Sequence, residues 1–203
     1  MHQTHTRSIV LGSSSRWRRM ILQKAGITFA ILAPNIDEKE IRHPDPRILT
    51  LLIATAKAYV LIPRLKEHDI LITSDQVAIL NGHVLEKPRD VHEARVFLRD
   101  YAHRGVKTVT AVVVVDIATK AMFADVDEAE VFFKPIPDHA IDSAINRGII
   151  MNACGALVLD DPDLAPYIEK IRGERESIDG LPLALTLTLL KKVGYTPPQK
   201  RLR

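Results

Sequence analysis

The stretch SSSRWRRMIL, residues 13–22, combines side chains that bind phosphate with the only tryptophan of the chain. Serine hydroxyls, the guanidinium of Arg18 or Arg19 and a helix N-terminus all favour the same anion. The Gly-Lys-Ser/Thr pattern of a Walker A loop is absent. The serines could equally be helix caps, the arginines a solvated face and Trp17 a core residue. The pattern alone leaves phosphate binding and these structural roles open.

A second group of charged side chains occurs in SDQVAILNGHVLEKP, residues 74–88. Asp75 is predicted where a buried strand ends, a favoured position for active-site groups in α/β sheets. The Asn-Gly pair that follows predicts a hairpin, which would return Lys87 toward Asp75. The two side chains could also form an ordinary structural ion pair.

Carboxylates elsewhere in the chain allow a metal site to be considered. Glu38 and Lys57 are each ambiguous when taken alone, but Glu38 together with Asp75 would suit Mg²⁺ or Mn²⁺, which prefer oxygen ligands. The histidines and the single cysteine lack the spacing of a zinc site. No Gly-x-Ser-x-Gly elbow supports a Ser-His-Asp triad.

The elements that must position these residues alternate between strands and helices. Apolar runs predict strands at 7–12, 70–73 and 156–159 and a long strand pair within 106–133. Helix signals, including prolines in first turns and glycines after last turns, lie at 16–26, 46–63, 90–101, 137–146 and 180–195. This order predicts an α/β fold with a mixed central sheet flanked by helices.

Composition predicts one globular domain over residues 1–203, with tails at 1–7 and 196–203 that we expect to be flexible. The chain is 46% hydrophobic and 26% charged, which is ordinary for a folded protein. No apolar run reaches the roughly 20 residues of a membrane helix, and the N-terminus lacks a signal-peptide core, so we expect no membrane association. One cysteine fits a reducing compartment, and we expect a cytoplasmic protein.

Positive charge is concentrated in RWRR and in the C-terminal stretch KKVGYTPPQKRLR. The net charge is +3 and the calculated pI is about 9.0. A basic tail could contact nucleic acid or simply aid solubility. Because no basic patch is interleaved with aromatic residues, we expect no nucleic-acid binding.

Several segments, taken in order from Ile9 to about Gly194, together resemble the Maf family of nucleotide pyrophosphatases. These are LGSSSRWRRMIL, NIDEKEIR, IATAKA, ITSDQVAILNGHVLEKP and IRGERESIDGLPLALTLTLL. The resemblance implies a Maf/ITPase-like fold with an active-site cleft between two lobes. It also implies hydrolysis of a nucleoside triphosphate at the α–β phosphoanhydride, which yields the monophosphate and pyrophosphate.

The resemblance assigns roles to residues by position. It implies a divalent metal, Mg²⁺ or Mn²⁺, near Glu38 and Asp75, and it makes Asp75 the proton acceptor that activates water. The residues that would hold phosphate oxygens are Ser13, Arg18, Lys57 and Lys87. Members commonly form homodimers, which we expect here too.

Three positions resemble the branch of the family that acts on 7-methyl-GTP. They are Trp17, Gln76 and an acidic residue in the later loop, for which spacing favours Asp160 over Asp161. The alternative substrates are dTTP, UTP and CTP. The branch of the family that acts on dTTP and UTP carries arginine and threonine at the first two positions. This chain departs from the family's motifs at two positions. Arg16 replaces the usual proline of the opening motif, and the acidic residue of the later loop is an aspartate where the 7-methyl-GTP branch typically has a glutamate. An alternative of another class is a nucleic-acid-binding or cell-division regulatory protein.

Overall fold

The computed structural model describes residues 7–196, and most of both predicted tails lies outside the described residues. Within them the chain forms two compact units. Unit 1 contains residues 7–75, 110–127 and 180–196, and unit 2 contains residues 76–109 and 128–179. Three long strands each contribute residues to both units.

Seven strands form a mixed sheet, as the sequence predicts. They are β1 (Ser8–Leu11), β2 (Phe29–Ile31), β3 (Asp69–Leu80), β4 (His83–Leu85), β5 (Val106–Asp116), β6 (Met122–Phe133) and β7 (Ile168–Arg172). The strand order is β2-β1-β3-β5-β6-β7, with β4 paired to β3. β1 runs parallel to β2 and β3, whereas β4 and β7 run antiparallel to their partners β3 and β6.

The described residues contain six α-helices, most of which begin and end at the predicted signals. They are α1 (Arg16–Lys24), α2 (Pro46–Leu61), α3 (Val91–Asp100), α4 (Asp138–Asn146), the short α5 (Arg175–Ile178) and α6 (Leu183–Lys192). The side chains of Asp45 and Asp90 accept hydrogen bonds from the first turns of α2 and α3.

The core of unit 1 has a layer on each face of its strands, because successive strand residues point to opposite sides. One layer joins Ile9 and Leu11 of β1 to buried residues of α1 and α6. The other joins Val10 of β1 to Ala54, Ala58 and Leu61 of α2. Each fully buried leucine or isoleucine contributes about 1.5–3 kcal/mol, so these layers hold the helices against the sheet.

Helix α2 is apolar along most of its length. Among the described residues, the stretch Pro46–Arg64 alone is long and apolar enough to cross a membrane by length and composition, with a mean hydropathy of 1.3. From apolar runs alone, no such stretch is predicted. The inner side of α2 packs in the core of unit 1, and its Lys57 is buried against two carboxylates. One side of α2 is therefore part of the core, whereas its other side exposes four large apolar side chains, Ile48, Leu52, Tyr59 and Val60.

Unit 2 contains the predicted hairpin. Asn81 and Gly82 both have positive φ angles, which a two-residue turn of this kind requires, and Leu80 pairs with His83 across it. Further along, the Tyr101 ring stacks on Phe133 with 5.5 Å between centroids. Burial raises the pKa of Tyr101 far above its usual value, and its hydroxyl donates to the carbonyl of Gly155.

Three local predictions are wrong. Strand β3 does not end at Thr73 but continues to Leu80, so Asp75 lies inside it. Residues 156–159 form no strand, because Gly155 and Ala156 both adopt left-handed φ angles that break an extended backbone. Strand β7 is missing from the prediction, since Ile168–Arg172 is mostly exposed and lacks a buried apolar run.

Candidate active site

The serine turn after β1 uses its hydroxyls in two different ways. Ser15 caps α1, and its Oγ accepts from the backbone N–H of Arg18 at 3.4 Å. Ser13 is buried, and its Oγ accepts from the backbone of Ser15 at 3.1 Å. Gly12 permits this close turn, because a Cβ there would lie 2.6 Å from Leu61 and Thr73. The helix N-terminus and Ser13 therefore face one small region.

Hydrogen bonds to oxygen acceptors hold the Arg18 guanidinium in place. Its Nε donates to the carbonyl of Gly180 at 2.9 Å, and its Nη1 donates to the carbonyl of Ser74 at 2.8 Å. Nη1 also lies 3.3 Å from Ser13 Oγ. A guanidinium held in this way keeps its charge at a fixed place, unlike one on a solvated helix face.

A buried lysine joins two carboxylates in the centre of unit 1. The Nζ of Lys57 lies 2.7 Å from Asp75 Oδ1 and 2.9 Å from Glu38 Oε1. The side chains of Lys57 and Asp75 are 6% and 8% exposed, whereas that of Glu38 is 51% exposed. The structure thus brings together three residues that the sequence separates widely.

Local structure explains how these three side chains meet. Lys57 lies on the buried side of α2 between Ala54 and Ala58, whose small side chains let the helix approach the sheet. Thr73 Oγ1 donates to the carbonyl of Ala54 at 2.7 Å, which joins α2 to β3 two residues before Asp75. Glu38 begins a short 3₁₀ turn that Asp37 caps.

The surroundings of Asp75 shift the pKa of its carboxyl group in opposite directions. Burial raises the pKa of the Asp75 carboxyl above its ordinary value, and the charge of Glu38 adds to that rise. The positive charges of Lys57 and Arg18 lower the same pKa in part. A carboxylate kept ionised by neighbouring cations, with a pKa above its usual value, suits proton transfer at neutral pH.

The donors available for a metal ion are the carboxylates of Glu38 and Asp75. Among residues 7–196 no group of three or more histidine, cysteine or acidic side chains converges. Two carboxylates that both contact one ammonium group do converge closely. Such a pair fits Mg²⁺, which is usually bound by one or two carboxylates with substrate phosphates completing its shell.

Trp17, on the first turn of α1, is half-buried rather than part of the core. The guanidinium carbon of Arg16 lies 4.5 Å from the centroid of its ring. The indole is therefore accessible in part and already contacts one cation.

The other predicted residues belong to unit 2. Lys87 is exposed just beyond β4, and its approach to Asp75 stays a prediction. The Nε2 of Gln76 donates to the carbonyls of Ser177 and Ile178 at 2.6 and 3.1 Å, so its amide orientation is fixed. Asp160 is exposed, and its carboxylate lies 2.6 Å from Arg175.

The neighbouring Asp161 has a structural role in unit 2. Its side chain is fully buried, and Arg147 contacts it at 2.7 Å. It also accepts from the backbone N–H groups of Asp163 and Leu164. Its oxygens are thus occupied within the protein.

Sequence reasoning missed the oxygens that position Arg18. They are backbone carbonyls of Ser74 and Gly180, and a backbone acceptor carries no signal in residue type. It also missed the contact between Arg16 and Trp17, which neighbouring positions at a helix start could have suggested.

Known proteins are similar to this chain along most of its length. Residues 8–193 match the model of the family described as Maf-like protein. A 7-methyl-GTP pyrophosphatase of Dictyostelium discoideum is 40% identical over 196 residues, covering 93% of this chain and 98% of the relative. A dTTP/UTP pyrophosphatase of Pelotomaculum thermopropionicum is 35% identical over 189 residues, with 93% and 98% covered.

A third relative is more distant in sequence. It is a 7-methyl-GTP pyrophosphatase of Chromohalobacter salexigens, 28% identical over 190 residues, with 93% of this chain and 97% of the relative covered. The family model spans both units, and it includes Ser13, Glu38, Lys57 and Asp75. The chain belongs to the Maf family.

Proposed function

We propose that this protein is a nucleoside triphosphate pyrophosphatase that cleaves the α–β phosphoanhydride and prefers 7-methyl-GTP. The observation that carries the proposal is the cluster in unit 1, where Lys57 joins Asp75 to Glu38. Ser13 follows β1, and Arg18 contacts both Ser13 and the carbonyl of Ser74, the residue before Asp75 in β3. Phosphoanhydride hydrolysis needs offset negative charge and a proton acceptor for water, and this cluster offers both.

The phosphates would be held by the serine turn and its neighbours. Ser13 Oγ and the N-terminus of α1 can donate to phosphate oxygens, and Arg18 adds a fixed positive charge beside them. Lys57 supplies a further ammonium in the same unit. The family resemblance implies that Lys87, which is exposed, would add another cation.

A divalent ion, Mg²⁺ or Mn²⁺, would be held by Glu38 and Asp75. When bound it would offset the charge of the phosphates and the leaving group. The contacts of both carboxylates with the Lys57 ammonium support this proposal, since a position between two carboxylates favours positive charge.

Asp75 would accept the proton of the attacking water. The water oxygen would form a bond to the α-phosphorus while its proton passes to the Asp75 carboxylate. The bond from the α-phosphorus to the bridging oxygen would break, and pyrophosphate would leave with that oxygen. Arg18 and Lys57 keep Asp75 ionised for this step, while burial keeps its pKa above the ordinary value.

Base preference would depend on Trp17, Gln76 and Asp160. A 7-methylguanine ring carries positive charge, so stacking on an indole gains about 1 kcal/mol or more when the contact is desolvated. A carboxylate can accept the N–H donors of guanine. Exposed Asp160 suits that role better than Asp161, whose oxygens are occupied by Arg147 and backbone N–H groups.

The wider biology follows from the same proposal. We expect a cytoplasmic, metal-dependent enzyme that removes modified nucleotides, acts as a homodimer, and binds neither membranes nor nucleic acid. A gel-shift series over salt tests the last point, since a regulator acting through its basic segments would shift nucleic acid at low salt.

The proposed substrate is tested by a ranked nucleotide panel. Purified protein is incubated with 7-methyl-GTP, GTP, dTTP, UTP and CTP, with Mg²⁺ or Mn²⁺ and with a chelator. We expect kcat/KM to be highest for 7-methyl-GTP, and the chelator to abolish turnover. A higher value for dTTP or UTP would favour the second candidate, which the 35% identical dTTP/UTP pyrophosphatase supports.

A further inference from the structure

Arg16 is the first residue of α1, and its side chain turns back over the ring of Trp17. The guanidinium carbon lies 4.5 Å from the ring centroid, within the range of a cation–π contact. Trp17 is the only tryptophan of the chain and is half-buried. One cation of the protein itself therefore already contacts one face of the indole.

We propose that Arg16 is a specificity-determining residue that weakens the preference of this site for a cationic base over a neutral one. The inference rests on the proposed function, in which Trp17 stacks on the base. A 7-methylguanine ring and the Arg16 guanidinium are both positive, so they repel when both contact one indole. Neutral guanine does not meet this repulsion.

The effect on the base is separable from the effect on the phosphates. The Arg16 charge attracts the phosphate groups of methylated and unmethylated nucleotides equally. That attraction cancels when the affinities of two nucleotides with the same phosphate number are compared. The ratio of the two affinities therefore isolates what Arg16 does at the indole.

Mononucleotides make the test independent of turnover. 7-Methyl-GMP and GMP have no α–β anhydride to cleave, and stacking on Trp17 changes the fluorescence of the only tryptophan. Dissociation constants of both are measured by fluorescence titration for the wild type, Arg16→Gln and Arg16→Pro. Proline is tolerated at a first helical position, so the second variant keeps α1.

The control is Arg19→Gln, which removes the same charge from the same helix. We expect Arg16→Gln and Arg16→Pro to raise the preference for 7-methyl-GMP over GMP by about three- to tenfold, the size of one exposed charge contact. Arg19→Gln should weaken both nucleotides and leave the ratio unchanged.

Two results would overturn the inference. One is an unchanged or lower ratio in both Arg16 variants. The other is binding of neither mononucleotide at Trp17 while the wild type still hydrolyses triphosphates, which leaves the proposed function standing. The opposite combination is also informative. If the fluorescence titrations give the expected affinity ratios but no triphosphate is hydrolysed, the proposed function is contradicted and the role of Arg16 is supported.

Discussion

At the scale of single residues, Lys57 is the side chain on which the cluster depends. It is buried and contacts Asp75 and Glu38 at hydrogen-bond distance. Removing one partner of a buried ion pair leaves an uncompensated charge, which costs far more than losing a surface pair. The same ammonium keeps Asp75 available as a carboxylate.

Lys57→Met should therefore destabilise the protein and abolish most activity. We expect a loss of about 3–5 kcal/mol in the free energy of unfolding, since buried Asp75 loses its main partner. Denaturant unfolding followed through Trp17 measures this. Lys39→Met removes an exposed lysine next to Glu38 and should change stability by less than about 0.5 kcal/mol. Equal losses in the two variants would contradict the role given to Lys57.

Residue type alone could not identify this cluster. Glu38, Lys57 and Asp75 come from a 3₁₀ turn, a helix and a strand, and each is an ordinary charged residue in its own segment. The family resemblance grouped the three residues, because the motifs that contain them occur in the order typical of the family. The sequence also could not decide between Asp160 and Asp161. The structure distinguishes them, because Asp161 is buried against Arg147 whereas Asp160 is exposed.

At the scale of elements, the approach of α2 to β1 and β3 positions the cluster. Gly12 makes that approach possible, because its missing side chain leaves room for Leu61 and Thr73. The sequence predicted both elements from local signals, proline at the start of α2 and an apolar run in β3. It placed Asp75 beyond the strand because polar residues begin at Thr73, whereas pairing extends the strand to Leu80.

Gly12→Ala should reduce stability by about 1–3 kcal/mol, because the added methyl group overpacks the junction. Thr73→Ser removes the methyl group that lies 2.6 Å from the new Cβ and keeps the hydroxyl bonded to Ala54. In a double-mutant cycle the second change should recover at least about 0.5 kcal/mol of the loss. If the effects of the two substitutions on the free energy of unfolding are strictly additive, the contact between the added methyl group and Thr73 does not limit the approach of α2 to the strands.

Arg7 and Asp116 join the start of β1 to the end of β5. Their side chains lie 2.6 Å apart, although Arg7 falls in a segment predicted to be flexible. Burial by itself would raise the pKa of Asp116, but hydrogen bonds from Arg7 and Thr119 together lower it below its usual value. Because the pKa of Asp116 is lower in the folded protein than in the unfolded chain, its ionised form stabilises the fold at pH values above the unfolded pKa of about 3.9. This stabilisation is lost as the pH falls through the pKa of the folded state.

Asp116→Asn should therefore destabilise the protein by about 1–3 kcal/mol above about pH 5, and the difference from wild type should shrink below about pH 4. Unfolding measured across this range tests the sign. Asp125→Asn changes an exposed aspartate of β6 and serves as the control, with a small difference at every pH. A deficit that grows on acidification would contradict the assigned pKa direction.

At the scale of the whole molecule, the α/β class and the mixed sheet followed from the order of strand and helix signals. Hairpin, caps and helix ends were predictable because they depend on a few adjacent residues. The partner of β6 was not, since β7 is mostly exposed and pairs with a distant strand. The family resemblance implied two lobes but not their boundaries, because residues 110–127 and 180–196 return to unit 1 after long excursions of the chain.

Product analysis of Asp75→Asn beside a matched control variant shows whether the Asp75 carboxylate accepts the proton when the α–β bond is cleaved. Wild type, Asp75→Asn and the control Glu40→Gln, an exposed carboxylate in the turn that holds Glu38, are incubated with 7-methyl-GTP and Mg²⁺. We predict 7-methyl-GMP and pyrophosphate from wild type and Glu40→Gln, and at least about a hundredfold slower release from folded Asp75→Asn. Orthophosphate as the first product would rule out cleavage of the α–β bond, and unchanged turnover by Asp75→Asn would rule out Asp75 as the proton acceptor.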